Sequence, residues 1–200
     1  MRAYNTEIIS VGTEILLGHI TNTDARDISE MLSKIGINVK YHTVVGDNPE
    51  RLRECVEIAK QRADIIITTG GLGPTCDDLT KQILAEAFDL KLVRDEREVS
   101  GLYDYIRNSR NFTPNNFQQA MLPEGCTVFH NQWGTAPGCA FTAEGKTVIM
   151  MPGPPGNVSR CSGLTPFLIC GHCRMRRLCL TPSASSASAK VRWTTSSPMR

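Results

Sequence analysis

Residues 68–81 read TTGGLGPTCDDLTK, a stretch in which two opposed kinds of chemistry meet. Gly70, Gly71 and Gly73, with Pro74 and Thr75, form a turn whose backbone N–H groups can face an anion, because glycine tolerates positive φ. A helical pattern follows, and helix starts add unpaired N–H donors and a positive dipole end. Yet Asp77 and Asp78 come directly after the turn. Two carboxylates beside a phosphate repel it unless a cation lies between them, or unless the ligand offers them N–H or O–H donors. The stretch is neither a Gly-Lys-Ser/Thr phosphate loop nor the G-x-G-x-x-G dinucleotide fingerprint. A plainer reading stands level with the functional one. In it the turn only joins a strand to a helix, and Thr75 with Asp78 makes a capping pair.

Other residues offer chemistry less specifically. Glu14, in GTEIL, lies two residues past a strand end, where a solvated loop acid is the commoner case. Asp47, in VVGDNPE, reads as a turn or cap residue. Asn115 and Asn116 carry amides suited to sugar hydroxyls or a heterocycle edge, although Pro-Asn-Asn is also ordinary turn chemistry. GTAPG, with Gly134 and Thr135, could cover a ligand or simply join a hairpin. MPGPPG, with Pro152, Gly153 and Pro154, ends the last apolar run. The four histidines are scattered without metal-ligand spacing, and no G-x-S-x-G elbow occurs.

The elements that must position these loops follow from periodicity. Residues 6–12, 37–47 and 64–69 are apolar runs suited to strands, the third a fully buried one. Between them, Ile28, Met31, Leu32 and Ile35 recur at helical spacing, with Thr23 as expected cap and Gly36 as stop. Asn48 caps a second helix that has Pro49 at its first position. Residues 79–89 give a third helix. Residues 95–122 read as mostly helical with a break at NFTPNN, and 126–131, 138–143 and 146–153 read as short strands. Alternating strands and helices with right-handed crossovers predict an α/β fold: three layers, α/β/α, around a mostly parallel sheet. Ligands of such sheets sit at the carboxyl ends of the strands, where GTEILLGHITNT, GGLGPTCDD and MPGPPG all fall.

The chain of 200 residues is 40% hydrophobic and 21% charged, enough for one domain with a sizeable core. Apolar runs fall short of a membrane span and the N-terminus lacks a signal-peptide pattern, so a cytoplasmic protein is expected, without membrane or nucleic-acid partners. The net charge of +2 conceals a division. Residues 1–156 hold 15 Lys+Arg against 20 Asp+Glu, while residues 157–200 hold seven basic residues and no acidic one.

GTEILLGHITNTDA, TVVGDNPERL, TTGGLGPTCDDLTK, TPNNFQQAMLPEG, NQWGTAPG and MPGPPG occur in an order and at spacings that closely resemble the N-terminal domain of the CinA family. That domain has the MoaB/MogA-like, molybdopterin-binding fold, and the resemblance covers residues 6–156. It implies metal-assisted hydrolysis of ADP-ribose at its diphosphate, to AMP and ribose 5-phosphate. Under this implication Asp77, Asp78 and Glu14 are catalytic, with the Asp pair holding a divalent cation. Gly70, Gly71, Gly73, Pro74 and Thr75 hold phosphate; Asn115 and Asn116 contact ribose or base; Gly134, Thr135, Pro152, Gly153 and Pro154 wall the pocket. The alternative is a nucleotide- or molybdopterin-binding module without hydrolase activity, and a third is an inactive truncated product. Relatives of this fold form dimers or trimers, so a homo-oligomer is expected.

Residues 157–200 depart from the family pattern. Cys161, Cys170, Cys173 and Cys179 crowd there without a zinc-site spacing. Codons can be chosen for Ser183–Arg200 whose shifted reading gives RVFGIGESAVDDQLAD, a string resembling the family continuation. The expectation is a frameshift near residues 155–157 and a tail that does not pack.

Overall fold

The computed structural model describes residues 4–108, 114–131 and 134–153. Pro154 and the tail 157–200, with the readings placed on them, lie outside the described residues.

Strands β1 (Asn5–Val11), β2 (Asn38–Val45), β3 (Ile65–Thr69), β6 (Thr127–Phe129), β7 (Gly138–Ala143) and β8 (Lys146–Met151) form one sheet in the order β2-β1-β3-β8-β7-β6. Its first four strands run parallel, and β7 and β6 are antiparallel additions. Helices α2 (Thr23–Lys34), α3 (Pro49–Arg62) and α4 (Thr80–Ala87) connect the parallel strands, as alternation of apolar runs and helical periods predicts.

Side-chain alternation along the strands builds two cores. Ile8, Ile65, Ile67 and Ile149 face Ala25, Ile28 and Leu32 of α2. Their neighbours Ile9, Ile66, Val148 and Met150 face Leu52, Val56 and Ala59 of α3 and Ile83 and Leu84 of α4. Both faces of the central strands are covered, which is why 64–69 is apolar without interruption. Each fully buried Ile contributes roughly 1.5–3 kcal/mol. At the lower end of β1, buried Glu7 accepts hydrogen bonds from Arg62 Nε (2.8 Å) and Nη2 (2.7 Å) and from Thr43 Oγ1 (2.7 Å).

Asn48 caps α3 as expected, accepting from Arg51 N–H at 3.0 Å. Asn22, not Thr23, caps α2, accepting from Ala25 N–H at 3.1 Å. The expected helical stretch 95–122 is divided. Helix α5 (Glu96–Asn108) and a 3₁₀ helix (Pro114–Ala120) lie between β4 (Leu92–Arg94) and β5 (Met121–Pro123), which pair antiparallel. Three-residue strands carry too little periodicity to announce themselves, and their pairing is a long-range event.

Candidate functional site

The strand order sets β1, β3 and β8 side by side, so the loops at their carboxyl ends meet. Between them lies a cavity of about 610 Å³. The loops approach backbone to backbone. Gly70 N–H donates to Met151 O at 3.0 Å. A Cβ on Gly153 would stand 2.8 Å from Gly70 Cα, and one on Gly70, at φ +91°, would collide with Val11 O. Glycine is required at 70 for both reasons.

Thr80, fully buried at the start of α4, fixes the glycine turn from below. Its Oγ1 donates to Gly70 O (3.1 Å) and its N–H to Gly71 O (3.2 Å). The helix does not begin at the glycines, as the anion-loop reading needs. A turn over residues 75–78 intervenes, closed by Asp78 N–H donating to Thr75 O at 3.2 Å. Asp78 Oδ2 accepts from Thr75 N–H at 2.9 Å and from Thr75 Oγ1. The expected capping pair thus exists, but it closes this turn; Leu79 occupies the N-cap of α4 without a side-chain bond. Gly73 lies beneath the Asp78 carboxylate, whose Oδ2 a Cβ there would meet at 2.5 Å.

Among the residues expected to form the site, Glu14, Gly70, Gly71, Gly73, Pro74, Asp78, Gly134, Thr135, Pro152 and Gly153 line the cavity. Asp77, Thr75, Asn115 and Asn116 do not. Asp77 is exposed beyond the wall, so the Asp pair does not converge as a pair. Adjacent residues in a turn point apart, and only the backbone path decides which one faces the cavity. Asn115, exposed, and Asn116, half-buried, lie at the start of the 3₁₀ helix away from the lining, and the other end of that helix brings Gln119 to the wall instead.

Two further lining residues escaped the sequence reading as site members. Asp47 does cap a helix, but one distant in sequence. Its Oδ2 accepts from Thr13 N–H (2.9 Å) and Thr13 Oγ1 (2.8 Å), holding the short helix α1 (Thr13–Leu16) that carries Glu14. Asn131 donates from Nδ2 to Ala136 O at 3.0 Å, which pins the 134–136 loop against the cavity. Val11, Ile15, Ile20, Leu72 and Ala136 supply an apolar part of the wall.

The electrostatics are one-sided. Glu14, Asp47 and Asp78 are the charged side chains among the described lining residues, and Lys, Arg and His are absent from them. The nearest buried cation is Lys81, on α4 behind the wall. Its Nζ donates to Gln118 O (2.6 Å) and Gln119 O (3.1 Å). Burial pushes its ammonium down to about 8, against the pull of Cys139 and Asp78. Among the described residues, no group of three or more His, Cys, Asp or Glu could hold a metal ion by itself. Nor, among them, is any helix long and apolar enough to cross a membrane.

This sheet order and this loop-built cavity define a known class. A family profile described as "Probable molybdopterin binding domain" matches residues 7–168, and the chain belongs to that family. Within it the chain is of the CinA type. It is 33% identical, with a TM-score of 0.70, to the crystal structure of CinA from Thermoplasma acidophilum, covering 78% of this chain and 92% of that one. It is also 52% identical over 167 residues to a Bacillus mycoides protein named for competence-damage induction, covering 82% of this chain. The chain spans 40% of that relative's length. MoaB of Thermus thermophilus, 20% identical at a TM-score of 0.56 over 84% of this chain and 94% of its own, shares the fold.

Proposed function

We propose that the cavity binds a nucleotide through its diphosphate and hydrolyses ADP-ribose there, releasing AMP and ribose 5-phosphate. The observation that carries this reading is the pairing of a glycine-built backbone cradle with three carboxylates and no basic side chain among the described lining residues. A diphosphate entering that cavity needs a divalent cation to offset the repulsion of Glu14, Asp47 and Asp78. Cations of the magnesium type take one or two protein carboxylates together with substrate phosphates and water, so they need no preassembled cluster of three side chains. Asp78, on the wall, is the first candidate to hold it, with Glu14 as a second lining carboxylate and Asp77 as an outlying member of the pair. When bound, such a cation withdraws charge from the phosphates and acidifies a water. The chain's own part is positional. Gly71–Gly73 present backbone to the phosphates, the Gly70 N–H being held by Met151 O, Thr80 keeps that turn in place, and Asp47 holds α1, which carries Glu14 on the cavity lining.

A second reading is a molybdopterin- or nucleotide-binding module without hydrolysis. The engagement of Asp78 Oδ2 by Thr75 favours it, because a carboxylate already hydrogen-bonded within its turn is poised to recognise a ligand donor with its other oxygen. The two separate in one assay. ADP-ribose is incubated with the protein, with and without Mg²⁺ or Mn²⁺, and AMP is followed. Hydrolysis requires the cation, and Asp78→Asn lowers turnover about 100-fold or more while keeping the fold. Absence of AMP under every cation condition, with tight molybdopterin binding, establishes the module instead.

A further inference from the structure

We propose that Gln119 is the specificity-determining side chain of this cavity, its carboxamide oxygen accepting a hydrogen bond from an N–H or O–H of the bound ligand. The inference rests on the ligand-binding reading above and adds to it a residue and the chemistry it selects. Gln119 lines the cavity yet is only 2% exposed. Its Oε1 is enclosed and has no hydrogen-bond partner among the described residues. A buried carbonyl oxygen left without a donor costs roughly 1–3 kcal/mol, so such an atom calls for an explanation.

Its surroundings show that the residue is held in place. Lys81, itself 5% exposed, donates to the backbone carbonyls of both Gln118 and Gln119. The next carbonyl, Ala120 O, accepts from Asp95 N–H at 2.9 Å. Consecutive carbonyls of the 3₁₀ helix are therefore tied to α4 on one side and to the start of α5 on the other. The backbone of Gln119 is thus held at the cavity wall, and a ligand in the cavity can, with a local turn of the carboxamide, supply Oε1 the donor it lacks. Acceptor chemistry also suits the site, because the neighbouring Asp78 and Glu14 are acceptors too. The site as a whole selects a ligand bearing donors: a heterocycle amine or amide N–H, or a ribose hydroxyl.

The test uses the full chain and the near-isosteric variant Gln119→Met, with two readouts. In calorimetric titration with ADP-ribose, the variant binds about 5- to 100-fold more weakly, the range expected for a donor left unpaired. Analogues in which the adenine amine or single ribose hydroxyls are replaced by hydrogen identify the source. The critical one weakens binding to wild type and not to Gln119→Met. If every analogue weakens both proteins equally, the proposal is overturned, and a variant that misfolds leaves the wild-type analogue series to decide. In the unliganded protein, Gln119→Met raises Tm by about 2–4 °C, because an unpartnered polar atom has been removed. A fall in Tm overturns the proposal, since it means the amide serves the fold. Should wild type bind no ADP-ribose at all, the nucleotide reading fails on its own, and the Tm arm still decides whether Gln119 is an acceptor reserved for a ligand.

Discussion

Gly70→Ala should destabilise this protein by about 2–5 kcal/mol, roughly two to three times the effect of Gly18→Ala. Both glycines have positive φ, +91° at 70 and +74° at 18. The backbone cost of placing an L-residue in that region is roughly 1–2 kcal/mol and applies to both. They differ in what a new methyl group meets. At 18 nothing lies within 4 Å. At 70 the methyl collides with Val11 O and stands 3.2 Å from the Val11 carbonyl carbon. Val11 ends β1, which is hydrogen-bonded on both sides to β2 and β3, so it cannot step aside as a flexible side chain would. Overpacking against such a wall adds roughly 1–3 kcal/mol, sometimes more. Urea unfolding measures the difference. With a slope of about 2 kcal/mol per molar, Gly70→Ala lowers the midpoint by about 1–2.5 M and Gly18→Ala by about 0.5–1 M. Equal midpoints for the two variants would refute the claim that β1, β3 and β8 meet at Gly70.

Other outcomes follow from the same structure. Thr80→Val removes the Oγ1 bond to Gly70 O and should cost about 1–2 kcal/mol, with ligand affinity falling as the turn loosens, measured by denaturation and titration. Arg62→Leu removes both guanidinium donors from the buried Glu7 carboxylate and should lower the urea midpoint at neutral pH; an unchanged midpoint would show that the half-exposed pair adds nothing to stability. Lys81 gives a pH signature. Its folded pKa, about 8, lies below the ordinary 10.5, so between these values the unfolded chain binds more protons and stability rises with pH. Wild type should therefore gain stability relative to Lys81→Met from pH 8 to pH 10, and parallel pH profiles would contradict the burial of this ammonium.

The sequence was informative wherever a local rule governs. Apolar runs, helical spacing, Asn48 and Pro49 at the start of α3 and Gly36 at the end of α2 placed the central parallel strands and their helices without knowledge of contacts. The six ordered motifs pointed to the family. The glycine turn also announced itself, because positive φ is a property of one residue. Neighbours in space but not in sequence decided the remainder. Asp77 and Asp78 are equivalent as text, and the path of the turn puts only Asp78 on the cavity wall. Asp47 looked like a cap and is one, but for the helix carrying Glu14, 34 positions away by its bond to Thr13. In TPNNFQQA the asparagines carry the amides that read as ligand contacts, while the 3₁₀ helix, tied down by Lys81, brings Gln119 to the cavity wall. Residue types and local periodicity thus determined the parallel strands, their helices and the strand ends between which the cavity lies. Which side chains line the cavity was settled by packing, because a loop's direction depends on the groups it is hydrogen-bonded to across the fold.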